Sequence, residues 1–294
     1  MREIPPLLGI FNDVPWFHFR ESEAHAWARA GFSWVVNDGE HSQWEGYYGR
    51  EQNATLLRLG ITPVQRLPRE AISLHGDALQ LGARATMRPY ATIPEEAETY
   101  FRAISFPDPS GVRTPHDRGG YPRRVGRAST LLRTPHDRGG YPMRRGDRTM
   151  EFSPSALRAA ERDVQGWLQF ETPELITDRV TRDHVLDMMS SRDRFRACGF
   201  IGPFDAVMRG GEGTELQEAI GDLLQAATDR NIPMGRLVSP GSTDTPAALE
   251  EAFVRAIENG ARLLAPHVLT SDLPYRGAAA IAEPFFRACE RCGF

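Results

Sequence analysis

The chain has 294 residues, of which 40% are hydrophobic, and its formal net charge is −4. This length and composition support a sizeable core, and the slightly acidic balance argues against binding to nucleic acid or to a membrane surface. No apolar stretch reaches membrane-spanning length, and the first residues lack the apolar core of a secretory signal, so we expect a cytoplasmic protein.

All 35 basic residues are arginines, because the sequence contains no lysine. A Schiff-base mechanism, a covalently held pyridoxal phosphate and a P-loop lysine are therefore excluded. Carbonyl or enolate chemistry on this chain would need a metal ion as electron sink.

Short apolar runs alternate with helical segments along the chain. The pattern predicts strands at residues 7–11, 33–38, 62–66, 85–88, 167–171, 196–201, 233–238 and 263–266. It predicts helices at 22–30 (capped by Ser22), 44–59, 71–81, from 94, 153–164, from 172, 216–230, 245–259 (capped by Thr245) and 278–289. Eight such units favour a single α/β domain, a (β/α)8 TIM barrel over residues 1–294. No Gly-x-Gly-x-x-Gly turn follows any strand, which argues against a dinucleotide fold.

Residues 103–150 interrupt this alternation. The ten residues 113–122 recur unchanged at 133–142, in a segment rich in arginine, glycine and proline. We interpret 103–150 as an inserted, duplicated loop on the barrel rim. It is either a basic lid over an anionic substrate or an insertion that the fold tolerates.

Polar residues follow several of the predicted strands. They are Asp38, Glu40 and His41 after the second strand, Arg66 at the end of the third, Gln169 and Glu171 on the fifth, and Asp205 after the sixth. In a barrel these C-terminal strand ends meet on one rim, where chemistry takes place. Since strand side chains alternate, Gln169 and Glu171 point the same way.

The residue types suggest roles. Glu171 and Asp205 offer hard oxygen ligands for Mg²⁺ or Mn²⁺ with positions left open for a substrate. Arg66 supplies a planar fork for a carboxylate or an enolate. His41 is the candidate base that titrates near neutral pH, and Asp38 could orient it.

Several segments of the sequence resemble the HpcH/HpaI aldolase family of metal-dependent aldolases. They are Ala30-Gly-Phe-Ser-Trp-Val-Val-Asn-Asp-Gly-Glu-His-Ser42, Thr62-Pro-Val-Gln-Arg66, residues 77–83 with 87–89, Leu168-Gln-Phe-Glu-Thr-Pro-Glu174 and Gly199-Phe-Ile-Gly-Pro-Phe-Asp205. The resemblance covers nearly all of the chain outside 103–150.

The resemblance implies a (β/α)8 barrel that forms homo-oligomers, often hexamers, with the last helix (278–294) exchanged between subunits. It implies that Glu171 and Asp205 bind a divalent ion (Mg²⁺, Mn²⁺ or Co²⁺) and that Arg66 holds a pyruvate-type 2-oxoacid. It also implies that His41 and Asp38 move protons through water. We predict Arg66, Gln169, Gly202 and Phe204 as substrate-binding residues, with a 2-oxoacid and an aldehyde or other electrophile as substrates.

The sequence departs from the family pattern at Asn37, at Phe204, which would narrow the 2-oxoacid pocket, and at residues 266–268. These changes favour a specialised substrate. Three functions stay open: a metal-dependent carbon–carbon lyase, a decarboxylative or other enolate-forming enzyme of the same family, and a barrel that binds a small acid without turnover.

Overall fold

The computed structural model describes residues 5–12, 20–41, 46–105, 163–191, 196–202, 214–238, 245–266 and 277–294. The insertion beyond residue 105, residues 153–162 of the helix predicted at 153–164, Phe204 and Asp205 lie outside these ranges. Within them, no helix is both long enough and apolar enough to cross a membrane.

Eight parallel strands close into a barrel in the order β1 to β8, each paired with its neighbours in sequence and β8 paired with β1. The strands are β1 Leu7–Asn12, β2 Trp34–Asp38, β3 Thr62–Arg66, β4 Ala85–Arg88, β5 Gln165–Phe170, β6 Arg196–Ile201, β7 Met234–Val238 and β8 Leu263–Pro266. The predicted (β/α)8 fold is confirmed.

The helices lie between successive strands and after β8. They are α1 Glu21–Ala30, α2 Gly46–Arg58, α3 Ile72–Gln80, α4 Pro94–Ile104, α5 Pro173–Thr177, α6 Arg179–Ser190, α7 Thr214–Asp229, α8 Pro246–Glu258 and α9 Ala278–Arg291. The last helix, α9, packs on α8 and α1 of its own chain, where Arg287 and Arg291 form ion pairs with Glu250.

Two of the predicted N-cap residues, Ser22 and Thr245, lie in the described ranges. Thr245 caps α8 as predicted, since its side chain accepts a hydrogen bond from the backbone N–H of Ala248. The cap predicted at Ser22 is wrong: α1 begins at Glu21, and Arg20 is the N-cap residue without a side-chain hydrogen bond. The helix begins earlier than predicted because the backbone N–H of Glu23 already bonds to the Arg20 carbonyl.

Side-chain alternation divides the strands into an inner and an outer face. The barrel interior is filled by a cluster that includes Trp34, Trp167 and Phe200. The Trp34 ring occupies the space beside Gly9, where any Cβ would overlap it, and it meets the Trp167 ring edge-on with centroids 5.2 Å apart. This aromatic layer closes the barrel below its C-terminal rim.

Candidate active site at the C-terminal rim

The same inner face that buries the aromatic layer also carries the predicted site residues. Asp38 lies four positions after Trp34 on β2, and Gln169 and Glu171 lie two and four positions after Trp167. By the same alternation, Gly202 follows Phe200 and Arg66 follows the interior residue Val64. The structure therefore brings Asp38, Arg66, Gln169, Glu171 and Gly202 to one rim.

Asp38 and Arg66 form the centre of the first cluster. They are register partners on β2 and β3, and the guanidinium donates from Nε to Oδ1 at 2.9 Å and from Nη2 to Oδ2 at 2.5 Å. Nη1 also lies 3.1 Å from Glu40 Oε2, and the Phe11 ring centroid is 5.5 Å from Cζ. Arg66 is thus held by two carboxylates and one aromatic ring.

His41 joins this cluster through Nδ1. That atom lies 3.1 Å from Asp38 Oδ2 and 2.8 Å from Arg66 Nη2, while 63% of the side chain is exposed. Nδ1 can donate a hydrogen bond to Asp38 or accept a hydrogen bond from Arg66, and the tautomer of His41 decides which of the two forms. In the first tautomer Nε2 is an exposed proton acceptor, and in the second it is a donor.

The turn after β2 begins at Gly39. Its N–H bonds to the Arg66 carbonyl at 2.8 Å, and Asp38 Oδ1 accepts from the Glu40 backbone N–H at 3.0 Å. The turn after β2 is therefore tied to the end of β3, and Asp38 is fixed by backbone as well as side-chain donors.

Opposing effects act on the protonation of the buried pair. Burial by itself would raise the pKa of Asp38, but hydrogen bonds and charges from Arg66 and His41 outweigh it and lower that pKa. Burial would likewise lower the pKa of Arg66, but Asp38, Glu40 and Glu171 together raise it. Both groups are therefore ionised at neutral pH.

Glu171 forms the second cluster, immediately after β5. The side chain is 1% exposed; Oε1 accepts from Gln169 Nε2 at 2.6 Å and Oε2 accepts from the Tyr90 backbone N–H at 3.2 Å. Gly202 lies against it, because a Cβ there would come 2.5 Å from Glu171 Oε1. The charge of Glu171 also acts on Arg66, so the two clusters belong to one site.

The donor set around Glu171 suits a divalent cation. Gln169 Oε1 is buried and has no hydrogen-bond partner among the described residues, and it adjoins a buried carboxylate. A buried polar atom without a partner is costly, and carboxylate and amide oxygens are the ligands that Mg²⁺ and Mn²⁺ accept.

A second set of possible metal ligands within the described ranges consists of Asp38, Glu40 and His41, whose ligand atoms lie within 4.8 Å of one another. The Arg66 guanidinium already contacts all three of these side chains. It supplies the positive charge there, so a cation would have to displace it.

Three contributions to the site were not predicted from the sequence. Glu40 binds Arg66, although its position beside Asp38 could have suggested this. The Tyr90 backbone N–H serves Glu171 from a left-handed conformation with φ of 49°. Behind the rim, Asn37 Oδ1 accepts from Gln52 at 2.7 Å and from Asn12 at 3.3 Å. These amides join β1, β2 and α2, which explains a polar Asn37 on the outer face of β2.

Comparisons with known proteins agree with the resemblance found in the sequence, although no family model matches the chain. A curated hydroxypyruvate/pyruvate aldolase of Roseobacter denitrificans is 32% identical over 115 residues, which cover 39% of this chain and 42% of that protein. The matched region thus spans less than half the length of this relative.

Two solved structures share the fold along almost the whole chain. The HpcH/HpaI aldolase from Desulfitobacterium hafniense has a TM-score of 0.64 at 16% identity, covering 92% of this chain and 89% of its own. An HpcH/HpaI aldolase/citrate lyase family protein from Burkholderia cenocepacia has a TM-score of 0.62 at 21% identity, covering 92% and 91%. The barrel is therefore similar to those of HpcH/HpaI aldolases.

Proposed function

We propose that this chain is a metal-dependent carbon–carbon lyase of the HpcH/HpaI aldolase type, acting through the enolate of a pyruvate-type 2-oxoacid. The observation that carries the proposal is the convergence of Arg66, held by Asp38, with the buried Glu171 and Gln169 on one barrel rim. The partial similarity to a hydroxypyruvate/pyruvate aldolase points to the same donor class.

A divalent ion would be held by Glu171 together with Asp205, and Gln169 Oε1 would lie beside it. When bound, such an ion supplies a Lewis acid that stabilises negative charge developing on a carbonyl oxygen. Gly202 leaves room next to Glu171 that any larger residue would fill. Mg²⁺, Mn²⁺ and Co²⁺ are the candidates.

Arg66 binds the carboxylate of the 2-oxoacid and stabilises the charge of its enolate. The guanidinium keeps its orientation because Asp38 and Glu40 hold it from two sides, and this preorganisation lets the charge act without rearrangement during the reaction. Gln169 contributes an amide beside Glu171, and Phe204 would limit the size of the donor.

His41 exchanges a proton with the aldol hydroxyl, directly or through water. In the tautomer with Nδ1–H bonded to Asp38, Nε2 is free to take that proton during cleavage and to return it during synthesis. The exposure of the His41 side chain leaves it accessible to an aldehyde. Asp38 orients both His41 and Arg66, which couples proton transfer to donor binding.

The direct test is retro-aldol cleavage of a 4-hydroxy-2-oxoacid, with released pyruvate measured by a coupled lactate dehydrogenase assay. We expect activity that EDTA abolishes and that Mg²⁺, Mn²⁺ or Co²⁺ restores. The purified protein should also be assayed with oxaloacetate, since faster decarboxylation than free metal gives would favour the decarboxylative alternative. Cleavage that persists in EDTA, or absence of turnover with every metal, would exclude the proposed function.

We also infer that the protein forms homo-oligomers, with a hexamer as the specific expectation. Phe286 on α9 is 44% exposed and Phe294 beyond it 38%, and both lie in the last helical segment (278–294) that the family resemblance expects to be exchanged between subunits. Light scattering after size exclusion should give a multiple of the 32.9 kDa chain mass. A monomeric mass at micromolar concentration would contradict the inference and leave the proposed chemistry intact.

A further inference from the structure

Arg236 occupies an unusual position on the outer face of β7. Its neighbours on the same face, Met234 and Val238, belong to the apolar core between barrel and helices, and its register partners Ile201 and Leu264 belong to that core as well. Strand positions on this face normally carry apolar side chains. A guanidinium here must have a compensating partner or a solvated space.

Arg236 has no such partner in the part of the chain that the structure describes. No hydrogen bond or ion pair joins it to a described residue, and its Nε is buried without an acceptor. Burial and the nearby positive charge of Arg255 both lower the pKa of Arg236. By contrast, the buried Arg66 and Arg88 have carboxylates at 2.5 Å and 3.8 Å.

The space beside Arg236 is a groove between β7, α7 and α8, with a cavity of about 230 Å³. Ala252 and Ala256, one helical turn apart on α8, line it with single methyl groups, which leaves the guanidinium uncovered. Arg255 and the amide residues Gln217 and Asn259 also line the groove. Among the described residues, its polar side chains therefore offer two cations and two amides, and no carboxylate.

We propose that this groove binds a small oxyanion, a phosphoryl or carboxylate group, between Arg236 and Arg255. Guanidinium groups pair with both kinds of oxyanion through parallel N–H donors, and the amides of Gln217 and Asn259 add neutral donors. The bound charge would relieve the repulsion between the two arginines and give the buried Nε an acceptor.

This groove is separate from the candidate active site. Arg236 lies on the outer face of the sheet, whereas Asp38, Arg66 and Glu171 lie on the inner face and its rim. Binding there does not depend on the proposed lyase activity, so the two proposals can fail independently.

The test measures binding of inorganic phosphate and of acetate to the purified full chain by calorimetry and thermal unfolding, with sodium chloride at matched ionic strength as reference. We expect phosphate or acetate to raise the unfolding temperature of the wild type beyond chloride. Arg236→Met should weaken anion binding at least tenfold, and Arg255→Gln, on an exposed helix position, several-fold. A preference for phosphate that Arg236→Met abolishes identifies a phosphoryl ligand, and a preference for acetate that Arg236→Met abolishes identifies a carboxylate.

Arg66→Lys is the matched control, because it alters the other site that could attract an anion, and it should bind phosphate as the wild type does. If Arg236→Met does not fold, Arg255→Gln and the control decide the question. Equal anion affinity in Arg255→Gln and the wild type, or anion stabilisation lost in Arg66→Lys instead, would overturn the proposal. So would an anion effect no larger than that of chloride.

Discussion

Asp38 and Arg66 are register partners at the C-terminal ends of β2 and β3, and two parallel hydrogen bonds of 2.9 and 2.5 Å join their side chains. The pairing of two neighbouring strands thus decides how the catalytic arginine candidate is oriented. Asp38 accepts from Arg66 and also contacts His41 at 3.1 Å, so one buried carboxylate orients the guanidinium and the imidazole together.

Arg66→Lys should lower turnover at least 100-fold while the protein still folds. Lysine keeps the positive charge, but it cannot form the bidentate pair with Asp38 or reach Glu40 in the same geometry. The measurement is kcat and KM for the 2-oxoacid in the cleavage assay. The matched control is Arg69→Lys, on the loop after β3, where the arginine contacts Glu96 outside the site; wild-type turnover is expected there. Equal losses in both variants would refute a specific role of Arg66.

Glu171→Gln should weaken Mn²⁺ binding at least tenfold, the lower end of what changes around metal ligands produce. The substitution keeps the size of a fully buried side chain and its amide can still accept from Tyr90, so the barrel should remain folded. Calorimetric titration with Mn²⁺ measures the effect, and circular dichroism checks the fold. Glu174→Gln, an exposed change in the first turn of α5, should bind Mn²⁺ like the wild type. Undiminished binding by Glu171→Gln would show that this carboxylate is not a ligand.

Gly202→Ala should abolish most activity. The added Cβ would come 2.5 Å from Oε1 and 2.6 Å from Cγ of Glu171, so the carboxylate or the end of β6 must move. Gly221→Ala is the matched control, because no atom lies within 4 Å of a Cβ at that helical position. The control should retain activity and gain up to about 1 kcal/mol of stability from the higher helix propensity of alanine. Full activity in Gly202→Ala would mean that this close approach has no functional role.

His75 should make the protein sensitive to acid. Its ring lies against Tyr100 with centroids 4.9 Å apart, and burial, with a smaller contribution from the charge of Arg88, lowers its pKa from 6.5 to about 3. Because the unfolded chain binds a proton near pH 6.5 and the folded chain does not, this group's stabilisation is present above pH 6.5. It is lost as the pH falls towards 3, by about 5 kcal/mol.

Denaturant unfolding of the wild type and His75→Phe at pH 7 and pH 4 tests this. The phenylalanine keeps the ring contact but cannot bind a proton, so its stability should fall less between the two pH values. His25→Gln, at a half-exposed position on α1, should follow the wild type. A pH dependence of His75→Phe as steep as that of the wild type would contradict the expectation.

The barrel and most of its strands follow from local patterns in the sequence. The bounds of β3, β4, β6 and β8 agree with prediction, because each is a short apolar run with glycine, proline or charged residues at its ends. Helices were less well defined: α6 (Arg179–Ser190) was not separated from the helix predicted from residue 172. The reason is local. Asp178 ends α5 and also caps α6, where its side chain accepts from the Val180 N–H, so no linker in the sequence separates the two helices.

The sequence also identified which strand ends carry polar residues. Side chains alternate between the two faces of a strand, and parallel strands end at the same rim, so buried charges have few positions to occupy. How those residues meet depends on contacts between distant parts of the chain. The ion pair of Arg66 with Glu40, the Tyr90 N–H on Glu171 and the approach of Gly202 to that carboxylate join residues from different strands and loops. Arg236 is the clearest case: in sequence it is one arginine among many, and only the packing of β7 against α7 and α8 leaves it without a partner among the residues that the structure describes. Strand register and helix packing depend on residues that are far apart in the sequence. The local pattern therefore predicts which residues can contribute to a site, whereas the closed barrel determines the distances between them.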